Sequence, residues 1–346
     1  MPIPQRRPTR LVAALAVGAL AAVGCGSASQ VAVRKTPKPT PVATPTPAPT
    51  PAPTPPPPPP PPQSPVPLIV QIENSPMSRP QSGLPTADLI YEYVTEGGIT
   101  RMSAFFYHVP PGSVGPVRSA RIATVQLVQI YGAALLYSGA GQYVEGQLNG
   151  ANVPHLGETA AAGDSFRVGF RAAPHNLYTD GPHIGHLLDR LALPPVGYQL
   201  WPRVDPATVP GGHPIGSFTV PISAYEQPSY TWHPELNGYT RSDVSGPLID
   251  ANSNQPVVAP TVIVMQVDVS PAPEVHDVTG AIGTRHTLAG TGNAQILTGG
   301  LGYDVSYTQG SSGPPQFTLP GGAPAPIAPG LVWIILVPRG VGYSVP

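Results

Sequence analysis

The chain contains one cysteine among 346 residues, and its last lysine is Lys38. The cysteine, Cys25, lies near the N-terminus, so the rest of the chain has no disulfide and no thiol nucleophile. Without lysine, residues 66–346 cannot supply the lysine of a P-loop, a Schiff base or the Ser-x-x-Lys arrangement of penicillin-binding proteins. His-Glu-x-x-His and Gly-x-Ser-x-Gly are also missing. These absences leave carboxylate or histidine chemistry, or no catalysis.

Positive charge is scarce in the part of the chain that can fold. Residues 66–346 hold 11 arginines and all 18 acidic residues, a net charge of −7 with histidine neutral. Nucleic-acid binding depends on lysine and arginine side chains that neutralise phosphates. We therefore exclude nucleic acid as the main partner.

The first 24 residues have the pattern of an export signal. Arg6, Arg7 and Arg10 precede an uncharged apolar run at residues 11–23. At about 13 residues, this run is shorter than the roughly 20 that a membrane-spanning helix needs. The pattern predicts a signal peptide over residues 1–24 that is removed on export.

The segment Ala22-Val23-Gly24-Cys25 resembles the lipobox of bacterial lipoproteins, although Ala22 stands where leucine is commonest. The resemblance implies cleavage before Cys25 and acylation of its thiol with fatty-acid chains such as palmitate. Because two or more chains give stable attachment, we expect a lipid anchor in the cell membrane, with the protein on the extracytoplasmic face.

Residues 25–65 follow the predicted cleavage site and are dominated by proline, threonine, alanine and serine, with unbroken proline at residues 55–62. Proline fixes φ and lacks a backbone donor, so this composition favours extended polyproline II and cannot build a core. The segment is predicted to be a disordered stalk that displays a folded module away from the membrane.

Strand and helix patterns begin after the stalk. Apolar or β-rich runs predict strands, and Gly97-Gly98 predicts a β-hairpin between two of them. Apolar spacing predicts two helices. The predicted strands are 68–72, 89–95, 99–107, 261–267 and 331–337, and the predicted helices are 122–131 and 183–191.

These patterns favour an α+β fold. We expect a mixed N-terminal subdomain at residues 66–210, with a β-hairpin and helices, and a mostly antiparallel β C-terminal subdomain at residues 211–346.

Five ordered motifs between residues 79 and 178 resemble the YerB-like lipoproteins, a bacterial family of unknown function. The motifs are Arg79-Pro80-Gln81-Ser82-Gly83-Leu84, Ala87-Asp88-Leu89-Ile90-Tyr91-Glu92, Glu96-Gly97-Gly98-Ile99-Thr100-Arg101, Gly115-Pro116-Val117-Arg118-Ser119-Ala120-Arg121 and Pro174-His175-Asn176-Leu177-Tyr178. In the second half, residues 230–241, 290–294 and 333–337 fit, but a tryptophan expected near residues 305–307 is missing. The resemblance implies a surface lipoprotein with two subdomains and carries no mechanism.

The predicted hairpin gives the first candidate site. If Gly97-Gly98 is a two-residue turn, Val94 lies opposite Arg101, and Arg101 lies between Glu92 and Glu96 on one face. Such a cluster could bind a ligand or hold a carboxylate for acid-base chemistry. It could equally be an ion-paired face that fixes the hairpin.

Two further polar groups are candidates. Arg118, Ser119 and Arg121 stand at the start of a predicted helix, where free backbone donors favour anions; an external anion or the protein's own glutamates could occupy this place. Arg171, His175 and Asn176 form the other group, for which a buried, hydrogen-bonded histidine is the structural alternative.

His183 and His186 stand three residues apart on a predicted helix and could share a metal ion, but the spacing supplies no third ligand. We therefore predict no metal and no cofactor.

Two functions remain open. One is an envelope protein that binds a cell-wall component or a surface protein without catalysis, which the missing motifs favour. The other is an envelope hydrolase that uses Glu92 or Glu96 with Arg101, Arg118 and His175.

Overall fold

The computed structural model describes residues 63–196 and 198–345. The predicted signal peptide, Cys25 and the stalk up to residue 62 lie outside the described residues. The helices are α1 (Ile122–Tyr131), α2 (Gln142–Gly150) and α3 (Gly181–Leu191). The strands are β1 (Gln63–Glu73), β2 (Leu89–Val94), β3 (Thr100–His108), β4 (Ser113–Val114), β5 (Ala134–Leu136), β6 (His155–Leu156), β7 (Phe166–Arg167), β8 (Leu177–Asp180), β9 (His213–Pro214), β10 (Ser217–Thr219), β11 (Ser229–His233), β12 (Gly238–Asp243), β13 (Gly246–Pro247), β14 (Ile249–Asp250), β15 (Gln255–Pro256), β16 (Val258–Ala259), β17 (Thr261–His276), β18 (Ile282–Thr287), β19 (Gly290–Thr298), β20 (Leu301–Gln309), β21 (Gln316–Thr318) and β22 (Val332–Pro338).

The fold is mostly β with three α-helices among the described residues, which agrees with an α+β class. Helix α1 has the predicted bounds, and α3 starts two residues before its predicted start. Helix α2 was not predicted, because its sequence contains Gly146 and Gly150 and only Val144 and Leu148 are buried.

A 12-stranded mixed sheet forms the centre of the molecule. Its main order is β21-β20-β19-β17-β22-β2-β3-β1-β5-β6. Strand β22 lies between β17 and β2 and is parallel to both. Its residues from Val332 to Val337 are all buried. A strand that is covered on both faces needs such a continuous apolar run, because neither face meets water.

Each face of this sheet has its own hydrophobic core. Helices α1 and α2 cover one face, and their buried residues pack with Tyr91, Tyr93 and Phe105. Helix α3 and the smaller sheet of β10, β11, β12, β13 and β16 cover the other, which contains Ile90 and Met102. Alternate residues of β2 and β3 therefore enter different cores, as the pleat of a strand requires.

The predicted boundary between residues 210 and 211 stays a prediction. Strands from both sides of it enter the central sheet, since β2 pairs with β22. Strand β1 starts at Gln63, inside the predicted stalk, and Gln63 pairs with His108. Only Pro65 interrupts residues 63–65, so this segment retains the backbone donors that pairing needs.

None of the helices within the two described ranges is long and apolar enough to cross a bilayer.

Candidate functional site

The β2–β3 hairpin forms, but its register differs by one residue from the prediction. The turn spans five residues, closed by the N–H of Thr95, which donates to the carbonyl of Ile99 at 2.7 Å. Arg101 consequently lies opposite Tyr93, and Glu92 lies opposite Met102. Because a one-residue shift moves each side chain to the other face, the predicted Glu-Arg-Glu face is wrong.

Glu92 is fully buried on the α3 side of the sheet. Its carboxylate accepts four hydrogen bonds. Oε1 accepts from Asn74 Nδ2 at 3.1 Å, Thr100 Oγ1 at 2.9 Å and Arg241 Nη2 at 2.9 Å, and Oε2 accepts from Trp333 Nε1 at 3.0 Å. We call these five residues the Glu92 cluster. The Glu92 carboxylate is buried and fully engaged in these hydrogen bonds, so it cannot contact a substrate.

Arg241 connects the Glu92 cluster to two further carboxylates, those of Asp243 and Glu226. It is 2% exposed, and its guanidinium also lies 3.2 Å from Asp243 and 3.6 Å from Glu226. Burial alone would lower the pKa of Arg241, but the carboxylates around it, Glu92 foremost, outweigh burial and raise that pKa. Burial, assisted by the negative charge of Glu92, raises the pKa of Glu226. These shifts follow from a buried ion network that joins β2 to β12.

Arg121 immediately precedes α1, as the sequence predicts. Its backbone N–H donates to Thr124 Oγ1 at 2.9 Å, which satisfies one donor at the helix start. Its Nε donates to Glu96 Oε2 at 2.6 Å, and Glu96 is 3% exposed. Glu96 is therefore held by an ion pair at the hairpin turn.

Glu73, at the end of β1, organises the next part of the site. Its carboxylate is 2% exposed and accepts from His175 Nδ1 at 2.9 Å and from Ser75 Oγ at 2.9 Å. Arg118 Nε lies 3.3 Å from Glu73 Oε1, which is an ion-pair distance. The Nε–H is not aligned for a hydrogen bond. His175 and Arg118, predicted as separate candidates, thus share one carboxylate.

Arg101 differs from the other arginines of the site. It is 3% exposed and lies between Glu73 on β1 and Tyr93 on β2 in the same row of the sheet. Among the described residues, its guanidinium makes one long hydrogen bond, from Nη1 to the carbonyl of Thr100 at 3.5 Å, while Nε makes none. Burial, with the nearby positive charge of Arg121, lowers the pKa of Arg101 to about 10.

We call Arg101, Arg118, Arg121, Glu73, Glu96 and His175 the arginine cluster. Its two glutamates each hold one arginine, at Glu73–Arg118 and Glu96–Arg121, and Arg101 has no carboxylate at ion-pair distance among the described residues. The cluster lies beside the first turn of α1, on the sheet face opposite to the Glu92 cluster.

Three other candidates have structural contacts. Arg171 donates to the backbone carbonyls of Met77 at 3.1 Å and Pro80 at 2.5 Å. Asn176 accepts from Arg167 Nη1 at 2.6 Å. Ser119 Oγ lies 3.5 Å from Ser138 Oγ, at the edge of the arginine cluster.

His183 and His186 do not share a site. Nδ1 of His183 donates to Asp180 at 2.6 Å, and Nδ1 of His186 donates to Asp164 at 2.5 Å. Within the described ranges, no three His, Cys, Asp or Glu side chains gather as a metal site requires.

Sequence reasoning missed Glu73 and Arg241. Glu73 ends an apolar strand, where a charged residue usually meets solvent, so nothing local distinguished it. Arg241 reaches Glu92 across 149 residues of sequence. The one available signal was its place inside a resembling segment, residues 230–241.

The sequence of this chain matches a known family over most of its length. A family described as "protein of unknown function (DUF3048)" matches this chain with its N-terminal domain over residues 55–193 and its C-terminal domain over residues 218–334. The chain belongs to this family of YerB-like proteins.

Two comparisons identify a particular relative. "Putative lipoprotein YerB" of Bacillus subtilis (strain 168) is 27% identical over 282 residues, which cover 79% of this chain and 81% of the relative. The crystal structure of the YerB protein from Bacillus subtilis superposes with a TM-score of 0.65 at 24% identity, over 81% of this chain and 93% of that chain. At this identity, the structural likeness establishes the fold alone.

Proposed function

We propose that this chain is a lipid-anchored protein of the cell envelope that binds an envelope component without catalysing a reaction. The name of the relative, the export pattern of residues 1–24 and the lipobox resemblance at Cys25 support the anchor. One observation carries the non-catalytic assignment. Both glutamates proposed for acid-base chemistry accept charged hydrogen bonds, Glu92 from Arg241 and Glu96 from Arg121.

A carboxylate paired in this way is a poor general acid or base. A general acid or base needs a carboxylate oxygen within hydrogen-bond reach of the substrate, and the oxygens of these glutamates already accept hydrogen bonds from the protein. Glu92 is also inaccessible, at 0% exposure. In the arginine cluster, by contrast, the side chains of Arg118 and His175 are partly exposed to solvent, at 23% and 21%. Such a surface is suited to binding.

One observation favours the hydrolase as the second candidate. His175 Nδ1 donates to Glu73 Oε2 at 2.9 Å, which is the way a carboxylate orients a histidine base. However, none of the described hydroxyl groups hydrogen-bonds to Nε2 of His175, so no nucleophile stands beside this base. A water molecule would have to be the nucleophile.

The test uses the full chain, purified in detergent, with sacculi from its own host and with detergent-extracted envelope proteins as parallel baits. We expect saturable retention on sacculi, or capture of a defined surface protein, with no release of soluble wall fragments. Absence of retention on both baits would contradict the proposal.

The histidine variant separates the two candidates. Fragment release that disappears in His175→Gln would establish the hydrolase instead. Arg339→Met, which alters a surface ion pair with Asp268, is the matched control and should behave as wild type in both assays.

A further inference from the structure

We propose that Arg101, Arg118 and Arg121 form a binding site for a phosphate group at the N-terminus of α1. This inference rests on the proposed function, since it names the chemistry of the envelope component that the protein binds.

The burial of Arg101 is the first step of the argument. A guanidinium that leaves water loses its hydration and needs hydrogen-bond acceptors or a counter-charge in return. Arg101 is 3% exposed, has an unpartnered Nε and makes only one hydrogen bond, at 3.5 Å, within the described ranges. Its Nε donor therefore has no acceptor among the described residues.

The charge of the arginine cluster is the second step. Three arginines stand against two glutamates, and each glutamate already contacts one arginine. Within the cluster one positive charge is left over, on Arg101, the most buried of the three; Asp277 acts on Arg121 only from beyond ion-pair distance. Residues 66–346 are acidic as a whole. A local excess of positive charge within them would attract an anion.

The third step is the nearness of the three arginines, since the positive charges of Arg121 and Arg118 act on Arg101. Arg101 extends from β3, Arg118 from the segment that pairs with β1 through Gln71, and Arg121 from the residue before α1. The first amides of this ten-residue helix lack intrahelical acceptors and carry the positive end of its dipole. Donors contributed by three elements and a helix start suit a tetrahedral oxyanion, whereas a planar carboxylate can pair with one arginine in a plane.

Access to the site is graded. The side chains of Arg118 and Arg121 are 23% and 14% exposed, whereas Arg101 is 3% exposed. A ligand would first meet Arg118 and Arg121, and its phosphate would then contact Arg101 at the floor of the site. Phosphate in an envelope occurs as the free ion or as esters in lipid headgroups and wall polymers, and the site recognises the chemistry that they share.

Thermal unfolding of the full chain in detergent tests the proposal. Inorganic phosphate represents the free ion, glycerophosphoglycerol represents the diester, and acetate at equal ionic strength controls for screening. The midpoint should rise with increasing concentration of at least one phosphate probe and stay constant in acetate. Arg101→Met should abolish the rise, Arg101→Lys should weaken it, and Arg339→Met should retain it.

Several results would overturn the site. These are a wild-type response to phosphate no larger than that to acetate, or an undiminished response in Arg101→Met. If Arg101→Met does not fold, Arg118→Met takes its place, because Arg118 lies nearer the surface, and an undiminished response in that variant also overturns the site. Retention on sacculi that is equal in wild type and Arg101→Met would refute this site while leaving the proposed function intact.

Discussion

Glu92 and Arg241 are 149 residues apart in sequence, yet Glu92 Oε1 accepts a hydrogen bond from Arg241 Nη2 at 2.9 Å in a fully buried place. The contact joins β2 of the central sheet to β12 of the smaller sheet. This contact makes Glu92 a structural residue. The arginine cluster lies on the opposite face of the central sheet.

Removing Arg241 should therefore destabilise the protein strongly. Arg241→Ala leaves the Glu92 carboxylate buried without its cation, and the loss of one member of a buried pair costs about 3–5 kcal/mol. The free energy of unfolding in urea measures this cost. Arg339→Ala, in an exposed pair, is the control and should change stability little. A similar, small loss in both variants would show that the Glu92 cluster does not stabilise the fold.

Arg118→Ala should cost less than Arg241→Ala. The carboxylate of Glu73 keeps its hydrogen bonds from His175 and Ser75 when Arg118 is removed. Arg118 is also partly exposed, so water can enter the vacated space. We expect a loss of about 1–2 kcal/mol, measured by the same urea titration. A loss as large as that of Arg241→Ala would mean that Arg118 serves mainly to neutralise Glu73.

His286 should make stability depend on pH in a defined window. It is fully buried, neither ring nitrogen has a partner among the described residues, and burial lowers its pKa to about 4. The unfolded chain binds a proton near the ordinary histidine pKa of about 6.5, whereas the folded chain does not until about pH 4. Stability must therefore fall as pH falls from about 6.5 to about 4, by about 3 kcal/mol from this group.

The comparison with His286→Phe isolates this contribution. The ring of His286 lies 5.6 Å from that of Tyr93, so phenylalanine preserves an aromatic contact. Urea unfolding at several pH values between 4 and 7 should show a shallower decline in the variant. Parallel declines in the two proteins would mean that folding does not lower the pKa of His286.

Cys25→Ser should abolish membrane attachment. The predicted lipid anchor is attached through the thiol of Cys25, the one cysteine of the chain, and serine has no thiol. Fractionation of cells should move the protein from membranes to uncleaved precursor or to the medium. A processed form that stays in the membrane fraction would refute the lipobox interpretation.

Local patterns predicted the elements better than their arrangement. The bounds of α1 follow from its apolar spacing, and the hairpin follows from Gly97-Gly98, whose φ values are 67° and 78°. The register could not be predicted, because it depends on the contact that closes the turn between Thr95 and Ile99. This difference of one residue in register placed the side chains of Glu92 and Arg101 on opposite faces of the sheet.

Long-range pairing limited the prediction of the site. The central position of β22, and with it the hydrogen bond from Trp333 to Glu92, depends on parallel pairing between strands about 240 residues apart. Arg118, Arg121 and His175 were identified as polar candidates, but Glu73, which holds two of them, was not. Glu73 on β1 and Arg101 on β3 are neighbours across the sheet, and no short stretch of sequence contains both.

The stability of Arg101→Met in phosphate-free buffer tests most directly whether Arg101 is kept for a ligand. The ion pairs Glu73–Arg118 and Glu96–Arg121 remain in this variant, and the unpaired buried charge disappears. We predict an unfolding free energy equal to wild type or higher by up to about 1–4 kcal/mol, the range seen when buried ion pairs are replaced by apolar side chains. A loss of several kcal/mol would show that Arg101 serves the fold and would contradict the account.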